Sequence, residues 1–258
     1  MVHLCTDRAT GEALAIKFQI NLSEKRVLRF KREVELLRTV KHDQLISLVD
    51  SGVVEATNGN KKNKSNIEFL VMPLADSSLA EFLSKSDVAI PYEDYIAQFK
   101  GLAGALAALH QDAVHRDIKP ENILIRGETW LLSDLGLCKC NGEAGDITDI
   151  DEQVGPRFWM SPEAINRAIG NHDEIEKCSD VYQLCSVFWF VVTRRHPTGC
   201  LAIGDWTGPK NVFEAIYPSL SHDRTKRPCD GAQLQGMLER ATLENQTGIP
   251  MRGQGGGP

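Results

Sequence analysis

The octapeptide at residues 115–122, HRDIKPEN, brings three chemically useful side chains close together. Asp117 supplies a carboxylate that can accept a proton, and Lys119 supplies a cation that can neutralise a negatively charged oxygen. Asn122 supplies an amide oxygen, which together with carboxylate and phosphate oxygens is a ligand that Mg²⁺ accepts. Such a set suits a reaction at a phosphate group.

Two further segments place charged side chains beside apolar ones. Ser133-Asp134-Leu135-Gly136 offers a second carboxylate, followed by a glycine that permits a sharp turn. The apolar stretch from Ala13 ends in Lys17, whose charge is costly to bury without a partner. Glu33 flanks the apolar face of a predicted helix and can supply that partner.

In this order and spacing, the segments resemble the motifs of the protein kinase family over roughly residues 1–240. HRDIKPEN is similar to the catalytic loop, and residues 13–17, ALAIK, are similar to the V-A-I-K strand. Residues 133–136 are similar to the DFG motif, with Leu135 in place of Phe as an apolar plug. The resemblance implies an ATP-dependent enzyme of the serine/threonine type, with ATP and Mg²⁺ as cofactors and a protein substrate as partner.

The resemblance also implies a role for each side chain of the lower half of the site. Asp117 would orient the substrate hydroxyl and take its proton, while Lys119 would contact the γ-phosphate. Asn122 and Asp134 would ligate Mg²⁺.

The nucleotide would be held from the other side. Lys17 would bind the α- and β-phosphates, in a pair with Glu33. The stretch from Phe69 to Ala75 resembles the hinge between two lobes, with Met72 as gatekeeper. The Pro73 carbonyl and the Ala75 backbone would meet the adenine.

The implied fold is α+β and bilobal, with a small β-rich N-lobe and a larger, mainly helical C-lobe. We expect the N-lobe at residues 1–75, the C-lobe at 76–243 and a disordered Gly/Pro-rich tail at 244–258. In the C-lobe, Asp180 matches the start of the buried helix that anchors the catalytic loop. Glu163 and Arg227 match a buried ion pair of the family.

The pattern of hydrophobic residues predicts the elements of the N-lobe. Val2–Cys5 and Ala13–Ile20 are typical of a hairpin, and Ser23 is a candidate N-cap for a helix that runs to about Thr39. Seven of residues 25–41 are Lys or Arg, which favours a solvated basic face over a docking surface. Leu45–Val54 and Ile67–Met72 are predicted strands on either side of a loose hairpin tip.

Two departures from the family pattern affect function. The first strand and the Gly-rich loop of the family are missing ahead of Lys17, which favours an N-terminally truncated N-lobe over a naturally degenerate kinase. The substrate segment reads Gly155-Pro156-Arg157, where serine/threonine kinases usually carry Gly-Thr-Pro. Lys119 still favours the serine/threonine type.

Regulation is indicated by Arg116, which precedes the catalytic Asp. In the family this arrangement accompanies activation-loop phosphorylation, and Thr148 is the only hydroxyl between Leu137 and Gly155. Either phosphorylated Thr148 pairs with Arg116, or the carboxylates around Thr148 do so constitutively. The second interpretation is slightly favoured.

Composition excludes several classes of protein. The chain has 258 residues, 42% of them hydrophobic and 25% charged, as is typical of a soluble globular protein. A net charge of −6 argues against nucleic acid as the main partner, and no stretch predicts a membrane span. Seven cysteines without zinc-site spacing favour reduced thiols in the cytoplasm. The oligomeric state is left open.

Three functions remain as hypotheses. The leading one is phosphorylation of protein Ser/Thr, because the phosphate-handling residues are all present. A catalytically impaired pseudokinase that acts as a binding or scaffolding module is the alternative, favoured by the missing Gly-rich loop. A small-molecule kinase is less favoured, because such relatives usually lack the segments at 119–121 and 161–163.

Overall fold

A computed structural model describes residues 1–57, 64–85, 88–142 and 158–247. A small antiparallel sheet with one helix is followed by a mainly helical region, which confirms the predicted α+β bilobal fold. The strands are β1 (Val2–Thr6), β2 (Ala13–Phe18), β3 (Asp50–Thr57), β4 (Lys64–Pro73), β5 (Ser77–Ser78), β6 (Ala113–Val114), β7 (Ile123–Arg126), β8 (Thr129–Leu132) and β9 (Lys139–Cys140). The helices are α1 (Glu24–Thr39), α2 (Leu79–Lys85), α3 (Tyr92–Leu109), α4 (Pro162–Ala168), α5 (Lys177–Thr193), α6 (Lys210–Ile216) and α7 (Gly231–Thr247).

The N-lobe sheet has the order β1-β2-β4-β3, and all its pairs are antiparallel. Directly paired residues of neighbouring strands point to the same face of a sheet. Ala15 pairs with Leu4 on one side and with Met72 on the other. Because side chains alternate along a strand, Lys17 lies on this same face, two residues further on. The register therefore brings one apolar surface and one lysine to the face that meets the C-lobe.

Helix α1 begins after Ser23, which occupies the predicted N-cap position, although its side chain makes no capping hydrogen bond. Its buried residues include Phe30 and Leu37 of the predicted apolar face, and also Glu33 and Arg29. Arg29 is only 8% exposed. The prediction that the basic face is solvated is therefore wrong for this arginine, because that part of the helix faces a cleft.

One predicted strand begins later than expected. Leu45 and Ile46 are buried but form only a single bridge and one backbone hydrogen bond to Leu132, and β3 begins at Asp50. The apolar residues Leu45 and Ile46 are therefore buried beside Leu132 of β8 without forming a strand, whereas Val49 is 50% exposed. The hairpin tip predicted between β3 and β4 lies at 58–63, outside the described residues.

The C-lobe core is built around α3, α5 and α7. Phe99 of α3 stacks on Phe188 of α5, with ring centroids 4.0 Å apart. Helix α7 starts against the backbone of α3, since a Cβ on Gly231 would lie 2.4 Å from the amide nitrogen of Ala107. Only glycine permits this approach. Helix α7 continues to Thr247, so the first four residues of the predicted disordered tail are helical, and 248–258 lie outside the described residues.

The membrane prediction can be compared with the helices that the structure describes. None of them is both long enough and apolar enough to cross a bilayer. The longest, α3, has 18 residues and carries Glu93 and Asp94 in its first turn.

Candidate active site

The segment 115–118 is held in place by α5. Asp180, a fully buried residue near the start of this helix, accepts hydrogen bonds from the backbone amides of His115 and Arg116 at 2.6 and 2.7 Å. Arg116 adopts a left-handed backbone conformation, with φ of 74°. Such a conformation is costly for a non-glycine residue and persists where its surroundings impose it. The predicted anchoring role of Asp180 is confirmed by these contacts.

The Asp117 carboxylate lies at the centre of a small polar network. Lys119 Nζ donates to its two oxygens at 3.1 and 3.3 Å. Burial raises the pKa of Asp117, and the positive charge of Lys119 opposes this rise. The carboxylate is thus a stronger proton acceptor than an exposed one, while its partners keep it oriented.

Asn122 lies in a short 3-10 turn, Pro120–Asn122, and links two parts of the site. Its Nδ2 donates to the backbone carbonyl and to Oδ2 of Asp117, both at 2.8 Å. Its own carbonyl accepts from the amide and the hydroxyl of Ser133, each at 2.9 Å. Its Oδ1 accepts no hydrogen bond from the described residues, so this oxygen can take a cation.

Lys17, Glu33 and Asp134 form a triad across the cleft. Lys17 Nζ contacts the two Glu33 oxygens at 2.7 and 2.9 Å and Asp134 Oδ1 at 3.0 Å. Burial alone would lower the pKa of Lys17, but the two carboxylates outweigh it and hold this pKa above its usual range. Burial would likewise raise the pKa of Asp134, but Lys17 holds it below the ordinary value. Both groups are therefore ionised at neutral pH.

The apolar plug predicted next to Asp134 is present. Leu135 begins a 3-10 turn, Leu135–Leu137, and is fully buried. Asp134 itself adopts a left-handed conformation, with φ of 61°. Leucine thus fills the apolar position that Phe holds in the family motif, while the strained backbone beside it presents the Asp134 side chain to the cleft.

Four of the predicted site residues, Lys17, Glu33, Asp117 and Asp134, line one cavity of about 440 Å³. Lys119 and Asn122 do not line it, but both contact Asp117. Among the residues that the structure describes, no group of three or more His, Cys, Asp or Glu forms a metal cage. Mg²⁺ is usually bound by one or two protein oxygens together with substrate phosphates. The free Oδ1 of Asn122 and the ionised Asp134 fit that mode of binding.

The predicted hinge lies where the two lobes are joined. Met72 and Pro73 end β4, and Ala75 follows it. The next residue, Asp76, is tied to the C-lobe, since its amide donates to the Ile125 carbonyl at 2.8 Å. These positions border the sheet face that carries Lys17.

The sequence reasoning missed one exposed residue on that face. Leu4 pairs with Ala15, which pairs with Met72, so the three side chains point the same way. Leu4 is 69% exposed. The alternation of apolar residues in β1 is the signal that could have identified it.

The predicted pair of Glu163 and Arg227 is confirmed. The two guanidinium nitrogens of Arg227 donate to the two Glu163 oxygens at 2.8 and 3.0 Å. Burial would raise the pKa of Glu163, but the hydrogen bonds from Arg227 and Ser179 hold it below the ordinary value. The pair fixes the start of α4 to the segment before α7.

Of the two partners in the predicted regulatory contact, only Arg116 lies within the described residues. Arg116, Lys139 and Arg167 line a cavity of about 180 Å³ beside the segment 115–118. Thr148, the segment 143–157 and hence Gly155-Pro156-Arg157 lie outside the described residues. The choice between a phosphorylated threonine and carboxylates as partners of Arg116 therefore stays a prediction.

Comparison with known proteins gives consistent similarities. The sequence model described as "Protein kinase domain" matches residues 1–202. The serine/threonine-protein kinase PknB of Mycobacterium leprae is 26% identical over 262 residues, which cover 97% of this chain and 39% of that protein. Human TGF-beta receptor type-1 is 29% identical over 199 residues, which cover 71% of this chain and 38% of the receptor. The chain thus spans about two-fifths of the length of these curated relatives.

Proposed function

The chain belongs to the protein kinase family, and on this premise we propose that it transfers the γ-phosphate of ATP to serine or threonine hydroxyls of protein substrates. The observation that carries the proposal is the meeting of Lys17, Asp117 and Asp134 in one cavity, although they lie far apart in the sequence. Phosphoryl transfer depends on positioning and charge stabilisation more than on covalent chemistry. The contacts of these residues provide positioning and charge stabilisation.

Asp117 is the proposed proton acceptor. Its burial raises its pKa, which brings the carboxylate closer to the range in which a general base works well. Asn122 and Lys119 hold both of its oxygens, so the carboxylate is preorganised before a substrate hydroxyl arrives. The hydroxyl would lie beside it and lose its proton as the new P–O bond forms.

The cations of the site would neutralise the phosphates. Lys119 stands next to Asp117, where it can contact the γ-phosphate as negative charge develops. Lys17, fixed by Glu33, would contact the α- and β-phosphates. Because Glu33 takes two of the Lys17 hydrogen bonds, the direction of the ammonium group is set by α1.

Asn122 Oδ1 and the Asp134 carboxylate would hold Mg²⁺, and Met72, Pro73 and Ala75 would border the adenine. When bound, Mg²⁺ neutralises phosphate charge and orients the β- and γ-phosphates. The residues of this chain contribute a hard-oxygen ligand set, in which Lys17 keeps Asp134 ionised. Leu4 and Ala15 would cover the adenine from the sheet side.

We also propose that the protein works in a reducing compartment such as the cytoplasm, without nucleic acid as a partner. All seven cysteines are free, three of them buried as ordinary core residues. Buried thiols of this kind are inert and typical of reduced proteins. The net charge of −6 supports a protein substrate over a polyanionic partner.

The experiment that tests the function is transfer of labelled γ-phosphate from ATP to a general protein acceptor such as casein. We expect Mg²⁺-dependent incorporation, with phosphoserine or phosphothreonine after acid hydrolysis. Binding of ATP without transfer would instead favour the alternative, a pseudokinase that acts as a binding module. Phosphotyrosine as the main product would contradict the serine/threonine assignment.

Asp134→Asn should reduce transfer and its Mg²⁺ dependence. The amide keeps the shape but removes the charge that would hold the metal, so we expect a loss on the order of 100-fold, about 2.7 kcal/mol. The rate should be measured over a Mg²⁺ titration. Asp43→Asn, which alters an exposed carboxylate, is the control. An unchanged Mg²⁺ dependence in Asp134→Asn would contradict the assignment.

The pH dependence of transfer should report on Asp117. The deprotonated carboxylate is the active form, so activity falls as pH drops through its pKa, which burial raises and Lys119 lowers. Lys119→Ala should therefore move the acid limb of kcat/KM to higher pH. Lys119→Arg keeps the charge and should leave the limb close to that of the wild type. An unmoved limb in Lys119→Ala would show that Lys119 does not set the protonation of Asp117.

A further inference from the structure

Two arginines of α1 line the same cavity as Lys17 and Asp134. Arg26 lies in the first turn of the helix and is exposed, whereas Arg29, one turn later, is only 8% exposed. Neither residue belongs to the motifs of the catalytic loop, the V-A-I-K strand or the hinge. Helix α1 therefore contributes these two positive charges to the cleft, in addition to the negative charge of Glu33.

The side chains of the kinase motifs alone give the cleft no surplus of positive charge. The Lys17 ammonium contacts Glu33 and Asp134, and Lys119 contacts Asp117. Two lysines thus face three carboxylates, so before Mg²⁺ is bound these side chains carry no net positive charge for a triphosphate. Burial strengthens the repulsion between carboxylates and phosphates, because charges in a cavity are screened less than exposed ones. Arg26 and Arg29 are the further cationic side chains among the described residues that line the cavity.

The position of Arg26 in α1 also favours a bound anion. The N-terminal end of a helix carries partial positive charge, so a cation in the first turn is unfavourable unless an anion is nearby. Among the described residues, the Arg26 guanidinium forms no ion pair, whereas Arg38 at the other end of α1 contacts Glu35 at 3.9 Å. An anion bound in the cavity would remove this cost.

We infer that Arg26 binds the terminal phosphate of ATP, with Arg29 adding positive potential behind it. The inference rests on the proposed kinase function and makes α1 a part of the nucleotide site. Arginine suits the task because its planar guanidinium can donate two hydrogen bonds to phosphate oxygens at once. ATP and ADP differ in the terminal phosphate, so Arg26 should discriminate between them.

The experiment compares affinities for ATP and ADP, with Mg²⁺ present, by titration calorimetry. Arg26→Ala should weaken ATP binding by about tenfold, as expected for one charge-assisted hydrogen bond, and change ADP binding by less than about twofold. Arg26→Lys should recover part of the loss. Lys31→Ala is the matched control, since Lys31 is 61% exposed on the same helix, lies outside this cavity and pairs with Glu68 at 3.4 Å.

The outcomes separate this inference from the proposed function. Failure of the wild type to bind ATP would overturn both. Normal ATP binding with an unchanged ATP/ADP ratio in Arg26→Ala would overturn the role of Arg26 and leave the kinase function intact. Equal weakening of ATP and ADP would also overturn it, as would a lower kcat with unchanged nucleotide affinities. That last result would instead assign Arg26 to carboxylates of the acidic segment 143–157 or of a substrate.

Discussion

Replacing Asp117 with Asn is expected to remove most phosphoryl transfer while leaving the fold and the affinity for ATP in place. The Asn side chain has the same shape and still offers an oxygen to Asn122, which donates to Asp117 Oδ2 at 2.8 Å. It cannot accept a proton from a substrate hydroxyl. Loss of a general base costs about 10²–10⁴-fold in rate. Initial rates of labelled phosphate transfer at saturating ATP measure this loss.

The control separates chemistry from folding. Asp43→Asn makes the same chemical change at an exposed residue outside the candidate site, and should leave the rate unchanged. Thermal melting and ATP titration of Asp117→Asn should give values close to those of the wild type, because Lys119 is partly exposed and can be solvated. Equal phosphate incorporation by the wild type and Asp117→Asn would contradict the catalytic proposal, because transfer would then not depend on this carboxylate.

The sequence predicts those parts of the fold that a short-range pattern determines. Helix α1 and the β1–β2 hairpin follow from the periodicity of their apolar residues, and both lie within a few residues of the predicted bounds. The proposed catalytic loop, residues 115–122, is contiguous, so one octapeptide identifies it. The pairing of Lys17 with Glu33 was implied by the family resemblance, and the cost of burying an uncompensated lysine is consistent with it.

Other features depend on contacts between distant segments and leave little trace in local patterns. The burial of Arg29 is one, since Arg26 and Lys31 on the same helix are exposed, whereas Arg29 lines a cavity together with the C-lobe residues Asp117 and Asp134. The late start of β3 is another. Leu45 and Ile46 are as apolar as strand residues, but their partner is Leu132 of the C-lobe, so the same pattern reports burial in an irregular segment.

The anchoring of residues 115–118 depends both on a local sequence motif and on a contact with a distant segment. The family resemblance identified Asp180, but only the structure shows its carboxylate accepting two successive backbone amides. The two bonds flank the left-handed backbone of Arg116, and they come from a carboxylate that is fully buried in α5. Surroundings of this kind can hold a strained residue in place. The conformation of residues 115–118 therefore depends on a helix that lies about 60 residues further along the chain.

Arg227→Ala should destabilise the fold more than any other single change considered for this chain. The side chains of Arg227 and Glu163 are 0% and 3% exposed, and the arginine also donates to the backbone carbonyls of Ser221 and His222. Removal of one partner of a buried ion pair leaves an uncompensated charge and costs about 3–5 kcal/mol. For a chain of this size, we expect the melting temperature to fall by about 10 °C.

Two further variants test the cause of this loss. Arg224→Ala removes an exposed arginine only three positions away, whose pair with Glu176 has side chains 40% and 54% exposed, so it should cost no more than about 1 kcal/mol. The double variant Glu163→Gln, Arg227→Met leaves no buried charge and should recover part of the stability lost in Arg227→Ala. If Arg227→Ala has the same melting temperature as the wild type, the pair does not stabilise the fold.

The pH dependence of stability should distinguish loss of an ion pair from loss of packing. In the wild type the pKa of Glu163 is lowered on folding, so its contribution is present above the unfolded pKa and is lost as pH falls through the folded one. Without Arg227, burial alone would raise the pKa of Glu163, so protonation of the variant on acidification would relieve the buried charge. The difference in free energy of unfolding between wild type and Arg227→Ala should therefore narrow as pH is lowered, as denaturant titrations at several pH values can show. A difference that stays constant with pH would attribute the loss to packing against Tyr182, whose ring centroid lies 5.0 Å from the guanidinium carbon.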